Sequence, residues 1–359
     1  DFDAYINENS YKYTNSEETR MIDYVVIDVL PSASDSLSIK NDLAERAIEF
    51  KAKSNSTEDS LYVINNEGFF SPFYSKKADL AEPLQNAISG MSNGDVYGPY
   101  LDKGAYFIAK LIDSKVLPDS VEASHILRTA TAGDVNGMAA ARSYVDSLRR
   151  AVETRKATFA DLATDNSQDP GSASKGGELG VFAQGAMVPE FNNAAFIDSE
   201  DGGLYTVETQ FGVHLISVKR RIFENRNPKY KVALIRSVIV PSEDTQNEVY
   251  DIADRIVSEN RTLSSLESAV AASDDMEVIS AAPLKANDYI FGTLGSGETS
   301  REIVRWAYDS ETSAGDVSPS IYTYTDKVNY YNSKYVIAAL KRVSPAGVAK
   351  RDDIRSTVE

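Results

Sequence analysis

Apolar residues recur along this chain as short dense strands separated by helical spacings, and the rhythm is stated three times. It opens with an apolar strand from Ile22 to Val29, a helical spacing from about Ile39 to Ala52, and a second strand from Ala105 to Leu111 after Gly98-Pro99-Tyr100. In the middle, Ala123 to Arg128 alternates as a strand, and Ala141, Val145, Leu148 and Val152 mark one face of a helix between about Asn136 and Arg155. Phe159 to Ala163 reads as a second, short helix. Pro170, Gly171, Gly176 and Gly177 then impose a loop, because proline fixes φ and glycine adopts conformations that other residues avoid. Pro189 opens a further short helix to Phe196, and Tyr205–Thr209 with Val213–Lys219 forms a hairpin turning at Gln210-Phe211-Gly212. The last third begins with Val232 to Val240 and closes with Gly315-Asp316-Val317-Ser318-Pro319 and Tyr335 to Leu340.

The repetition predicts three α+β copies, each a small, mostly antiparallel sheet surrounded by helices. They are expected at 20–117, 118–222 and 228–345, with linkers near Ser114–Ser120 and Phe223–Pro228, where polar and proline-containing sequence breaks the periodicity. Residues 1–19 read as the remnant of a preceding helical segment and 346–359 as the start of a following helix, so the chain is expected to be a soluble part of a longer protein. A single such domain with unrelated flanks is the alternative organisation.

Composition narrows the functional classes. The chain of 359 residues has no cysteine, which excludes disulfides and thiolate chemistry, and its net charge of −17 argues against a nucleic-acid partner, which needs a basic face. No apolar run approaches the 18 or so residues of a membrane span, so no membrane contact is expected from this segment.

Both histidines lie in the middle copy, His125 in Ala-Ser-His-Ile-Leu and His214 in Phe-Gly-Val-His-Leu-Ile, with Asp-Pro-Gly-Ser-Ala and Gly-Gly-Glu-Leu-Gly between them. A histidine on an apolar run is ordinarily a satisfied core residue, but two that each close a short strand around such a loop invite a joint reading. From Val121 to Arg220 the order of blocks resembles the parvulin family of peptidyl-prolyl cis/trans isomerases along a full domain, and the chain is most similar to the envelope foldases of the SurA and PpiD type. The resemblance implies three tandem parvulin-like domains, with isomerase activity confined to the middle one. The outer copies keep the apolar frame and contain no histidine, and in alignment Tyr106 and Tyr335 stand where His214 does.

An X-Pro amide has a rotational barrier of about 18–20 kcal/mol, and lowering it requires no bond to be made or broken. A catalyst has to grip the proline ring and bind the twisted amide better than the planar one. The resemblance implies that Leu179, Met187 and Phe191 line a proline pocket, and that His125, His214 and Asp169 supply the polar component. The two histidines would share a hydrogen bond, and Asp169 would act near the substrate carbonyl as an anion or as an acid. Without the motif, the three apolar residues read as core and Asp169 as part of an Asx-type turn. Where many relatives carry a hydroxyl near the last strand, this chain has Phe211, with Thr209 two residues earlier. The loop Thr129–Gly137 contains Asp134 and has only Arg128 beside it, too little positive charge to select a phosphorylated substrate.

Other chemistries fit less well. Ser172, His125 and Asp169 lack the Gly-x-Ser-x-Gly setting of a hydrolase, two histidines 89 residues apart lack metal-ligand spacing, and Gly176-Gly177 with Gly180 is too short for a phosphate loop. No cofactor or metal is implied. The expected partners are unfolded or extended polypeptides containing X-Pro bonds, in the periplasm of a Gram-negative bacterium. The competing function is a chaperone of little or no catalytic activity that holds unfolded chains, to which some of the 20 tyrosines, Tyr322, Tyr324, Tyr330 and Tyr331 among them, would contribute grooves if they are not simply strand residues.

Overall fold

Residues 14–273 and 275–348 are described by the computed structural model. The first third contains β1 (Thr14–Asn15), β2 (Thr19–Asp28), α1 (Ala33–Lys51), α2 (Ser56–Asn65), β3 (Phe69–Phe70), α3 (Glu82–Ile88), β4 (Val96–Asp102) and β5 (Ala105–Lys115). The middle third contains β6 (Ser120–Thr129), α4 (Val135–Glu153), α5 (Phe159–Asn166), β7 (Glu178–Ala183), α6 (Pro189–Phe196), β8 (Leu204–Thr209) and β9 (Gly212–Ile222). The last third contains β10 (Lys229–Val238), α7 (Glu243–Glu259), α8 (Leu263–Ala271), β11 (Val278–Ser280), β12 (Ile290–Phe291), β13 (Gly295–Ser296), α9 (Glu298–Ala307), β14 (Tyr322–Asp326), β15 (Tyr331–Ser344) and β16 (Gly347–Val348).

The strands build three four-stranded antiparallel sheets of equivalent order: β7-β6-β9-β8, β3-β10-β5-β4 and β11-β2-β15-β14. The fold is therefore α+β, as the periodicity predicts, but the outer copies are not contiguous. The strand that opens the first repeat, β2, pairs along β15, and the strand that opens the last repeat, β10, pairs along β5 from Lys229↔Lys115 to Val238↔Ala105. The boundaries 20–117 and 228–345 are thus corrected at their first strands. The described residues divide into one compact unit, which takes in those up to residue 39 and those from residue 239 on, and another of 40–238. Within the first unit the two crossing segments are fastened together. Thr245 Oγ1 donates to Asp35 Oδ2 at 2.7 Å, and the same carboxylate takes the Ser32 N–H at 2.8 Å.

The terminal expectations fall mainly outside the described residues. Of the preceding helical segment expected at 1–19, residues 1–13 lie outside, and Thr14–Asn15 is a strand paired with Gly347–Val348. That ladder replaces the first part of the helix expected at 346–359, the rest of which also lies outside the described residues.

A bulge marks the same point in each sheet and fixes the correspondence between copies. It lies between Glu122 and Ala123 in the middle sheet, Lys231 and Val232 in the second, and Leu340 and Arg342 in the third. Counting from it, His125 corresponds to Leu234 and Tyr24, and His214 to Phe107 and Val336. The expected equivalence with Tyr106 and Tyr335 is therefore wrong by one residue. Side chains alternate faces along a strand, so that one step puts both tyrosines on the opposite side of their sheets. The outer positions are apolar or aromatic: Phe107 and Leu234 pack against the cluster containing Leu84 and Ile88 of α3, and Tyr24 and Val336 with Ile303 and Val304 of α9.

In the middle copy, α4 begins where Asp134 accepts the Gly137 N–H at 3.0 Å, and it buries Ala141, Val145 and Leu148 against Ile126, Val213 and Leu215. The other face of the sheet carries Ala123, Ile216 and Val218 and packs on Phe191, Ala195 and Phe196 of α6. Tyr322 and Tyr324 lie in β14, Tyr331 begins β15, and Tyr330 is exposed in the turn between them.

Candidate active site

The antiparallel register of β6 and β9 sets His125 opposite Ile216 and His214 opposite Leu127. The two histidines are therefore diagonal neighbours on one face, close enough for their rings to meet. Their rings stack with centroids 5.4 Å apart, and the two Nδ1 atoms are 3.2 Å apart. Both rings are buried.

Asp169 reaches His125 because the segment after α5 is laid along β6 where β7 no longer pairs with it. Gln168 N donates to Leu127 O at 2.8 Å, Ser167 Oγ accepts the Leu127 N–H at 3.1 Å, and Gln168 Oε1 accepts the Thr129 N–H at 2.8 Å. The loop then returns to β6 through a carbonyl: Gly177 O accepts the His125 N–H at 2.8 Å. Gly177 has φ +79°, and a Cβ there would stand 2.3 Å from His125 O, so this close return requires glycine.

Asp169 Oδ2 lies 2.9 Å from His125 Nε2 and accepts a hydrogen bond from the Ser172 hydroxyl, while Oδ1 takes the Gly171 N–H at 3.4 Å. The Asx-type turn and the histidine contact thus coexist. Partial burial raises the carboxyl's pKa, but the hydrogen bonds from Ser172, His125 and Gly171 and the adjacent imidazole outweigh it and hold the value at about 2. Asp169 is therefore an anion at neutral pH.

That charge orders the whole chain of hydrogen bonds. A carboxylate only accepts, so His125 Nε2 carries a proton, and in the neutral tautomer that this sets, its Nδ1 accepts from His214 Nδ1–H. His214 Nε2, left with its lone pair, accepts from Thr209 Oγ1 at 2.8 Å, and Thr209 Oγ1 in turn accepts the Phe211 N–H at 3.1 Å. Burial and the neighbouring His125 push the His214 pKa down to about 4 against the opposing pull of Asp169, so this histidine is neutral at pH 7. The network runs in one direction, from Thr209 to Asp169.

An apolar wall adjoins it. The Phe191 ring meets His125 and His214 edge-on, with centroids 5.7 and 5.4 Å away, and Leu179, Met187, Phe182 and Val188 pack around it. Phe191 is 2% exposed, whereas Leu179 and Met187 are half-buried. All six residues singled out from the sequence are thereby gathered on one side of the middle sheet.

Sequence reasoning undervalued two hydroxyls. Thr209 supplies the end of the network, with its place two residues before Phe211 as the only hint. Ser172, weighed as a nucleophile, donates to Asp169 rather than to histidine, so the order of contacts is Ser-Asp-His and the nucleophile–base contact of a hydrolase is missing. Arg128, the cation next to the Thr129–Gly137 loop in sequence, stacks on Tyr144 with its guanidinium carbon 4.6 Å from the ring centre. Among the described residues no group of three or more His, Asp or Glu side chains is placed to hold a metal ion, and no helix is long and apolar enough to cross a membrane.

Comparison with known proteins places this geometry. The sequence model of the PPIC-type PPIase domain matches residues 106–221. Chaperone SurA of Pseudomonas fluorescens (strain Pf0-1) is 34% identical over 151 residues, 41% of this chain and 34% of the relative. Foldase protein PrsA of Exiguobacterium sibiricum is 50% identical over 64 residues, 18% of this chain and 21% of the relative. The crystal structure of peptidylprolyl isomerase PrsA from Bacillus anthracis aligns over 67% of this chain and 86% of its own, at 19% identity and a TM-score of 0.24. The chain spans only about a third to two fifths of the length of the SurA relatives it matches. Residues 106–221 thus match the PPIC-type PPIase domain, and over part of its length the chain is similar to the SurA chaperones.

Proposed function

We propose that the middle domain accelerates cis/trans isomerisation of X-Pro bonds in unfolded polypeptides, and that the chain assists the folding of secreted or outer-membrane proteins in the periplasm of a Gram-negative bacterium. The observation that carries this reading is the one-directional chain from Thr209 to Asp169 set against the apolar wall of Leu179, Met187 and Phe191. The wall takes the proline ring. Asp169, held as an anion, faces the charge-separated form of the amide, in which the carbonyl oxygen is negative, and disfavours it. Weakening that resonance form removes double-bond character from the C–N bond, and each 1.36 kcal/mol taken from the barrier is about tenfold in rate. His125 and His214 position the carboxylate and have no proton to transfer, because no bond is broken.

The test is cis-to-trans isomerisation of a short unphosphorylated X-Pro peptide by the intact chain and by a folded His125→Ala, Asp169→Ala variant. Acceleration that disappears in the variant supports the proposal. Absence of acceleration by the intact chain refutes it and favours a chaperone that binds extended polypeptides, a role that survives loss of these two side chains.

A further inference from the structure

The half-buried Met187 is the part of the pocket wall that no regular element holds. It stands in the five-residue passage from β7 to α6, beside Gly185 with φ +86°. Two side chains fix this passage. On its inner side, Asn192 Oδ1 of α6 accepts the Gly185 N–H at 2.9 Å. On its outer side, Gln184 Oε1 accepts the backbone N–H of Tyr74 at 2.8 Å, and the Phe73 ring lies against Gly185, 3.8 Å from where a Cβ would stand.

Tyr74 does not belong to the isomerase domain. It sits on the β3-β10-β5-β4 sheet and is anchored there at both sides. Its hydroxyl donates to Asp113 Oδ2 at 2.6 Å, and the next residue, Ser75, exchanges backbone hydrogen bonds of 2.8 and 2.9 Å with Tyr230. Asp113 is held in turn by Asn93 and Lys115. The amide nitrogens of Gln184 and Asn192 are both buried without a hydrogen-bond partner. Each unpaired buried donor costs stability, so both amides act through their oxygens alone, and what those oxygens secure is the position of the turn.

We propose that Gln184 is a positioning residue through which the first outer sheet, by way of Phe73 and Tyr74, sets the Met187 wall of the proline pocket. This rests on the isomerase reading for its catalytic consequence but not for its structural one. Among the described residues the turn makes no hydrogen bond to Asp169 or the histidine pair, so its release weakens the grip on the ring in ground and transition states alike. Uniform loss of binding raises KM and leaves kcat unchanged.

The experiment uses the full chain with 13C-labelled methionine methyls, of which there are five, in wild type, Gln184→Leu and Gln184→Glu. Leucine removes the acceptor and glutamate keeps one. The expected result for Gln184→Leu is a displaced and broadened Met187 methyl resonance and a KM raised about fivefold, the equivalent of one ordinary hydrogen bond. kcat and its pH profile stay unchanged, and Gln184→Glu returns both readouts towards wild type. A Gln184→Leu protein with the wild-type Met187 resonance overturns the proposal, as does one whose kcat falls at constant KM. If the wild type itself has no isomerase activity, the functional reading fails separately, and the methyl resonance with the affinity for the same peptide decides the positioning role.

Discussion

Acidification from pH 7 to pH 4 is the perturbation that most directly probes the ordered network. His214 is 5% exposed, packed edge-on by Phe191 and next to His125, and its pKa is depressed from 6.5 to about 4. The unfolded chain binds a proton there near 6.5 and the folded chain does not. Stability is therefore complete above 6.5 and declines as the pH falls towards 4. The loss by pH 4 is roughly 3 kcal/mol, at about 1.36 kcal/mol for each tenfold in proton affinity. Asp169 contributes in the same sense but lower, between 3.8 and about 2, so the two windows are separate. The chain has two histidines, and a 1H–13C spectrum of the imidazoles resolves His214 without ambiguity once a His214→Phe variant identifies it. The expected midpoint is near 4, accompanied by a fall of about two powers of ten in the hydrogen-exchange protection of β6 and β9 amides between pH 7 and pH 4. In His214→Phe, which copies the residue that Phe107 supplies in the neighbouring sheet, the decline between 6.5 and 4 should vanish. A His214 midpoint near 6.5, or protection that is equal at the two pH values, would refute the reasoning.

Three further outcomes follow from the same contacts. Asp59→Ala strips the buried Lys110 ammonium of its 2.7 Å carboxylate partner, leaving the Phe50 and Lys53 carbonyls and the Phe50 ring, and should destabilise the chain by about 3–5 kcal/mol in urea unfolding. Thr209→Val leaves the buried His214 Nε2 acceptor unpaired, at a cost of about 1–3 kcal/mol, and should lower kcat for X-Pro isomerisation; unchanged stability and kcat would remove Thr209 from the network. Gly177→Ala drives a methyl group against the His125 carbonyl and should abolish isomerase activity, with displaced imidazole resonances in a protein that otherwise remains folded.

Much of the middle domain was legible in the sequence because its signals are local. Ala141, Val145 and Leu148 recur at helical spacing and form the buried face of α4, Pro189 opens α6, and the two histidines end on adjacent strands. β7 went unread because this edge strand is largely exposed and contains Gly180, so it lacks the apolar alternation of a buried strand. The exchange of β2 and β10 was illegible for a different reason. Alternation specifies which face of a strand is buried, not which of two equivalent sheets it joins, and both strands carry the same pattern. Tyr106 and Tyr335 were placed one residue off because the apolar runs of the closing strands give no fixed point for alignment, whereas the bulge common to the three sheets does. At the site, residue identity revealed the participants, but only the position of Ser167 and Gln168 along β6 explains why Asp169 meets His125 and is charged.

The pairing of Lys115 with Lys229 makes the isomerase domain an insertion in what would otherwise be a β5–β10 hairpin. Its own ends are also adjacent, Ser120 standing opposite Ile222. Closing an unstructured loop of more than a hundred residues costs on the order of 4 kcal/mol, about twice the cost for ten residues. A folded insertion whose ends already meet removes most of that difference, so the isomerase domain is expected to fold first and to bring β5 and β10 together. During synthesis the order is stricter still, because β2 has to wait for β15, three hundred residues later. β2 is thus completed only once β15 has been made, and until then its edge stays open to pairing with other chains.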